Sequence, residues 1–130
     1  MSDQRPSTFD RFIGMRMCAD APEGCVAAEI EIEPHHCNPT GAINGGVFLS
    51  LADNLATGCA NRAYFDKTGE RRFLVGIDVH AVMLSNQQGG RIRAESRVVR
   101  VGRRVTVVRT VVTGTDGKPL AEVTTTHVPG

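Results

Sequence analysis

The stretch Gly45-Gly46-Val47-Phe48-Leu49-Ser50-Leu51-Ala52-Asp53-Asn54-Leu55-Ala56-Thr57-Gly58-Cys59-Ala60-Asn61-Arg62-Ala63-Tyr64 decides how this chain folds. From Val47 to Tyr64 most of the circumference of a helix would be apolar, so the helix has to be enclosed rather than laid on a surface. Most of the exceptions, namely Ser50, Asp53, Asn54, Thr57 and Asn61, recur at three- and four-residue steps and form one polar stripe. Asp53 is the only acid in the segment. An ionised carboxylate in such a setting loses hydration, so it calls either for a structural hydrogen-bond partner or for a function.

The flanking sequence supplies the enclosure. On the N-terminal side, Cys25 to Glu33 alternates, with Val26, Ala28, Ile30 and Ile32 on one face and Glu29, Glu31 and Glu33 on the other, which predicts a half-buried strand. Pro34 and Asn38-Pro39-Thr40-Gly41 break it and lead through a loop to the helix. Further out, Ser7 to Met17 predicts a short helix, with Ser7 and Asp10 as a capping box and Phe9, Phe12 and Ile13 on one face. On the C-terminal side, Asp66-Lys67-Thr68-Gly69 predicts a turn. Four strand-like stretches follow, Phe73 to Leu84, Arg91 to Val101, Val105 to Thr115 and Leu120 to Val128, punctuated by Gly89-Gly90, Gly102 and Asp116-Gly117. Turns this short join neighbouring antiparallel strands, so a meander is expected. The sum is an α+β chain, one helix on one face of a curved antiparallel sheet.

Composition narrows the function. The 130 residues, 41% hydrophobic, suffice for one core, so residues 1–130 are expected to form a single domain. A net charge of +1 gives no global reason to expect a nucleic-acid or membrane partner, and the absence of Trp leaves few base-stacking surfaces. The polar start Met1 to Pro6 lacks a secretory signal and no stretch reaches membrane-spanning length, so a cytoplasmic location is expected. Cys18, Cys25, Cys37 and Cys59 form no Cys-x-x-Cys pair and read as reduced thiols. His35-His36 beside Cys37 lacks the further ligands, at a set spacing, that a metal site needs, and no metal is expected. His80, in a middle strand, could reach a cleft or fill space.

Gly45-Gly46 would let a ligand approach the backbone at a helix start, where unpaired N–H groups and the positive dipole end attract developing negative charge. A tight turn packed on the sheet would use the same residues. Gly45 and Asp53 lie eight residues apart, about 12 Å along a helix, too far to serve one substrate atom within a chain. Two copies with antiparallel helices would bring Gly45 of one to Asp53 of the other, making a homodimer necessary for chemistry.

The run Asn38-Pro39-Thr40-Gly41-Ala42-Ile43-Asn44-Gly45-Gly46-Val47-Phe48-Leu49-Ser50-Leu51-Ala52-Asp53 resembles the Asn-x-x-Gly-x-x-His-Gly-Gly-x-x-x-x-Leu-x-Asp signature of hotdog-fold acyl-CoA thioesterases, the branch related to the phenylacetate-degradation and 4-hydroxybenzoyl-CoA enzymes. Phe12-Ile13-Gly14, Gly76-Ile77-Asp78-Val79, Gly102-Arg103-Arg104 and Asp116-Gly117-Lys118 are similar to that family too. The resemblance implies a hotdog fold, a sheet wrapped around the central helix, assembled as dimers and as a tetramer of two dimers. It implies Asp53 as general base or nucleophile, the Gly45 N–H as oxyanion donor, Asn38 as the residue holding water or carbonyl, and Thr57 as a hydroxyl that orients the water. Thr57 could equally be a plain helix Thr.

Asn44, Gly46, Asp78, Met83 and Gly102 fall at positions expected to touch substrate. Arg100, Arg103 and Arg104 flank the Gly102 turn where the resemblance places contacts to coenzyme A phosphates, a task suited to guanidinium forks. Arg91, Arg93 and Arg97 alternate and read as a solvated strand face. Two departures stand out: Asn44 replaces the usual His and cannot titrate near neutral pH, and Gly76 replaces a frequent Ser or Thr, removing a hydroxyl that helps position water. The expected activity is hydrolysis of an acyl-CoA with no cofactor besides the substrate's own CoA; the alternative is a non-catalytic acyl-CoA sensor. The Asp-x-x-x-x-His arrangement of hotdog dehydratases is not found. Phe48, Leu49, Met83 and Leu84 could line a pocket for a ring or a short chain.

Overall fold

The computed structural model describes residues 8–130. The order is α1 (Thr8–Ile13), β1 (Arg16–Cys18), β2 (Cys25–Glu31), a 3-10 turn (Pro34–His36), α2 (Gly45–Thr68), β3 (Leu74–Met83), β4 (Arg91–Val101), β5 (Thr106–Thr113) and β6 (Pro119–Pro129). The strands form one six-stranded sheet, β1-β2-β4-β5-β6-β3, antiparallel throughout.

Helix α2 lies on the inner face of that sheet, enclosed as its apolar circumference requires. Phe48, Leu51, Ala52 and Leu55 pack against Ile30, Ile92, Ala94, Val112 and Val123, while Ala56, Cys59, Ala60 and Tyr64 pack around Leu74 and Val108. Each fully buried Phe or Leu contributes about 1.5–3 kcal/mol from the area it removes from water. The inner face also carries buried polar groups: Ser96, Thr106, Thr110, Thr125 and His127. Ser96 and Thr110 satisfy each other, oxygen to oxygen, at 2.6 Å.

Several expected boundaries move. The first helix, expected to reach Met17, stops at Ile13, because Gly14 adopts φ +80° and Met15 N–H donates to Asp10 O at 2.9 Å while Gly14 N–H donates to Arg11 O at 3.1 Å. That double bond pattern with a left-handed glycine terminates helices. The residues beyond it form β1, a strand not anticipated, which pairs with β2 through Arg16 opposite Glu29. The Ser7 half of the expected capping box lies outside the described residues. Ile13 is buried, whereas Phe9 and Phe12 are exposed.

Strand β2 ends at Glu31, two residues early. Its successor is a 3-10 turn at Pro34–His36 held by the His36 ring: Glu33 N–H donates to Nδ1 at 2.9 Å, and Nε2 donates to Ile13 O at 2.8 Å.

Helix α2 runs on through the expected Asp66–Thr68 turn, since no residue there opposes helix; Gly69, at φ +76°, ends it and donates to Phe65 O at 2.8 Å. The meander is shorter than expected. Of the four strands after α2, β4, β5 and β6 are consecutive neighbours, and β3 pairs with β6 at the sheet edge. The segment after β3 crosses the sheet end instead of turning back: Leu84 and Ser85 N–H donate to Leu120 O, Asn86 clasps Ile43 through both backbone groups, and Ile32 N–H donates to Gly90 O. The chain thereby enters β4 beside β2.

On the outer face, Arg93 is ion-paired to Asp20 (3.0 Å), Glu95 (3.0 Å) and Glu29 (3.5 Å), and Glu29 also meets Arg16 (3.2 Å). Of the alternating arginines, Arg91 and Arg93 thus meet acidic partners on the solvent side, Arg91 reaching Glu29 at 3.9 Å, and Arg97 is exposed.

Candidate functional site

The polar stripe of α2 divides by role. Asn54 Nδ2 donates to Asp10 Oδ1 at 2.7 Å and fastens α1; Asn61 Oδ1 accepts from Leu74 N–H at 2.8 Å and starts β3. Thr57 Oγ1 donates to the Asp53 carbonyl at 2.9 Å, one turn back along its own helix, which leaves the oxygen's lone pairs to accept. No hydrogen bond or ion pair from a described residue reaches the Asp53 carboxylate, itself half-buried. The structural role open to Asp53 on periodicity alone, a capping or interhelical bond, is not what the fold gives it.

The carboxylate faces the sheet edge at Gly76. A Cβ on Gly76 would lie 3.7 Å from Asp53 Oδ1, 3.8 Å from His127 Nδ1 and 3.9 Å from His127 Cε1. His127 was not singled out by the sequence. The inward phase of β6, Ala121, Val123, Thr125 and His127, is the signal that would have found it, a histidine where the register calls for an apolar group. Its ring is fully buried, with Nε2 2.8 Å from Thr125 Oγ1 and Nδ1 without a partner among the described residues. Burial holds its pKa below the ordinary 6.5, with the negative charge of Asp53 pulling the other way.

At the helix start, Asn44 has extended backbone (φ −63°, ψ 131°) and its Oδ1 accepts from Gly46 N–H at 2.8 Å, while Val47 N–H donates to Asn44 O at 2.9 Å. Asn44 is therefore a helix N-cap, and the Gly46 N–H is already used. Gly45 N–H, the first of the helix, keeps the position that no intrahelical acceptor serves. Met83 reaches this tip, its Cε 3.6 Å from where a Gly45 Cβ would sit.

Asn38 shapes the loop below. Its Oδ1 accepts from Thr40 N–H (2.9 Å) and Thr40 Oγ1 (2.6 Å), so the amide Nδ2 is the part left for a ligand.

Other expected positions are spread more widely. Asp78 stands opposite Thr126, on the sheet face away from α2, because one residue of β3 bulges between Gly76 and Asp78. Arg100 stands opposite Val107, and Arg103 and Arg104 are exposed in the β4–β5 turn. Gly102 is required there: its N–H donates to Val105 O at 2.7 Å, and a Cβ would sit 2.9 Å from that oxygen. Cross-strand register joins Val101, Thr106, His127 and Gly76 in one row, so the arginine turn lies just past the same end of the sheet, about three strand spacings or 14 Å from Gly76.

Among the described residues no cluster of His, Cys, Asp or Glu could hold a metal, and His36 is committed to its backbone partners. The four cysteines are free thiols, and burial pushes Cys59 up to about 11, which removes it as a nucleophile near neutral pH. No helix of the described residues is long and apolar enough to cross a membrane.

This geometry agrees with what the chain is similar to. The thioesterase superfamily model matches residues 40–121, which include all of α2, with Gly45 and Asp53, and β3, with Gly76; Asn38 and His127 lie outside the matched range. PA1618 of Pseudomonas aeruginosa, an esterase by name, is 29% identical over 130 residues, covering 98% of this chain and 86% of its own. A crystal structure of a mutant of that protein, there called a thioesterase, aligns with TM-score 0.78 and 27% identity over 94% of this chain and 86% of that one. The thioesterase HI1161 of Haemophilus influenzae shares the fold at TM-score 0.84 and 20% identity, covering 92% of this chain and 80% of its own. Acyl-coenzyme A thioesterase 13 of Homo sapiens is 35% identical over a shorter stretch of 49 residues, 38% of this chain and 35% of its own. An unpaired carboxylate on an enclosed helix, a sheet wrapped about it and a match across its middle lead to one assignment: this chain belongs to the thioesterase superfamily and has its hotdog fold.

Proposed function

We propose that the protein hydrolyses an acyl-CoA thioester at a site shared by two copies of the chain. The observation that carries this reading is the Asp53 carboxylate, half-buried in the middle of an enclosed helix and bonded to none of the described residues. A carboxylate left so is free to take a proton from water or to attack a carbonyl. The oxyanion donor is Gly45 N–H, about 12 Å away along the same helix, and therefore comes from the second copy. Asn38 Nδ2 orients the reacting group and Arg100, Arg103 and Arg104 meet the CoA phosphates. The similarity to a human acyl-coenzyme A thioesterase supports the substrate class.

Strand β3 supports the dimer. Among the described residues its outer edge is unpaired in the sheet, and Val75, Ile77, Val79, Val82 and Met83 are all at least 44% exposed. Open edges with apolar side chains invite a second strand. Antiparallel pairing of β3 with its copy would continue the sheet and set the two α2 helices head to tail.

A second reading, a binding protein that senses acyl-CoA without cleaving it, is favoured by one observation: the Asn44 side chain is spent on capping α2 and offers no titratable group. Release of free thiol from a panel of aromatic and aliphatic acyl-CoAs separates the two. Hydrolysis is expected, with Asp53→Asn lowering kcat by about 10²–10⁴-fold, or 3–5 kcal/mol of barrier. Binding without thiol release, or near-normal turnover by Asp53→Asn, would defeat the proposal.

A further inference from the structure

We propose that His127 is a second catalytic residue, which holds the attacking water against Asp53 from the opposite side, in the space that the absent side chain of Gly76 leaves open. This deepens the hydrolytic reading above and rests on it. The His127 imidazole is fully buried, and its Nδ1 has no partner among the described residues. A buried polar atom without a partner destabilises the fold, so it needs an explanation. The other ring nitrogen is held 2.8 Å from Thr125 Oγ1, which fixes the plane of the ring.

Nδ1 is aimed at the same place as the Asp53 carboxylate. Both lie within 3.8 Å of the point where a Gly76 Cβ would be, and the glycine leaves that point free. Gly76 does not have a positive φ, so the backbone does not demand glycine there; what glycine provides is space. A water lying beyond that point, clear of the Gly76 Cα and drawn in between the two groups, can give one hydrogen to each acceptor, Asp53 Oδ1 and His127 Nδ1, with Nε2–H donating to Thr125. The missing hydroxyl at position 76 is thereby replaced from the neighbouring strand.

The step balances without a further reactant. As the water oxygen bonds the thioester carbon, Asp53 takes the proton on its side and His127 keeps the remaining O–H aligned. The C–S bond then breaks, and the proton on Asp53 passes to the departing thiolate, giving acid and thiol. His127 stays neutral throughout. Burial favours that state, since it keeps the pKa below 6.5. Asp53 on α2 is the titratable group facing the ring; its row neighbours on β3 and β5, Gly76 and Thr106, carry no charge.

The test has two parts. The first follows the His127 ring resonances by NMR across pH in the wild type and in Asp53→Asn. The wild-type ring should titrate below 6.5, and loss of the carboxylate, whose negative charge favours the protonated ring, should lower the midpoint further. An unmoved midpoint overturns the pairing. This part needs no substrate, so it decides the pairing even if no acyl-CoA is cleaved and the hydrolytic reading fails.

The second part measures turnover. Gly76→Ala adds a methyl at ordinary contact distances, so the fold is kept while the water's place is filled. Gly76→Ala and His127→Phe should each lower kcat about tenfold to a hundredfold with KM nearly unchanged. Wild-type kcat in Gly76→Ala, or in a folded His127→Phe protein, would refute the role.

Discussion

A shared site makes a quantitative prediction about mixed dimers. Gly45→Pro deletes the oxyanion donor and little else. Position 45 is the first of α2, where proline is well tolerated because its N–H has no helical acceptor. The preceding Asn44 already has ψ 131°, the extended conformation that a following proline imposes, and the nearest side-chain atom to a Gly45 Cβ, Met83 Cε, lies at 3.6 Å. Losing one such donor typically lowers kcat about 10²–10³-fold. Asp53→Asn removes a charge that bonds to no described residue, so its stability should change by no more than about 0.5 kcal/mol. Each variant alone forms dimers with two defective sites.

A dimer with one copy of each variant has one site carrying both intact groups and one site carrying neither. Random pairing makes about half the dimers mixed, so co-expression should restore about one quarter of wild-type activity, and the purified mixed dimer about one half. Differently tagged copies, purified through both tags and assayed for thiol release, give the measurement. A mixed dimer as inactive as its parents would refute the idea that Gly45 and Asp53 meet across a subunit boundary.

Three further outcomes are expected. Asn44→Ala removes the cap of α2 and should cost about 1 kcal/mol, lowering Tm by about 3–5 °C in a thermal melt. The double substitution of Arg103 and Arg104 by Ala should raise KM for acyl-CoA about threefold to tenfold with kcat held within about twofold, and should flatten the dependence of KM on salt; an unchanged KM would place the phosphates elsewhere. Because the His127 pKa is depressed by folding, the unfolded chain binds the extra proton first. Stability is then complete above 6.5 and declines as pH falls from there towards the folded value, by up to about 1.4 kcal/mol per unit; urea titrations should show this slope in the wild type and its loss in His127→Gln.

Much of the architecture could be read from local pattern. The enclosed helix, its polar stripe and the strand over Arg91–Val101 follow from side-chain period, because burial on one face must repeat at 3.6 or 2 residues. The end of α1 could not be read this way. Gly14 is a single residue whose φ decides whether the chain continues as helix or returns as β1, and amphipathic spacing continues smoothly across it. Asp53 was visible because an acid is conspicuous on an apolar helix; His127 was hidden because one histidine in an alternating strand reads like any other inward residue.

By itself the sequence determined that one helix must be surrounded by an antiparallel sheet, and that a lone acid sits on it beside a glycine-led start. These are properties of neighbours along the chain. The tertiary structure alone decided that β3 leaves the meander to pair with β6 at the open edge. That pairing depends on which strands meet across the sheet, a choice made by the crossing at residues 84–90 and its bonds to Leu120, Ile43 and Ile32. Through it, Gly76 comes to lie beside His127, 51 positions away in the chain, with Asp53 above them both. No spacing rule reaches that far, because the contact is set by the order of strands and not by the periodicity of any one of them.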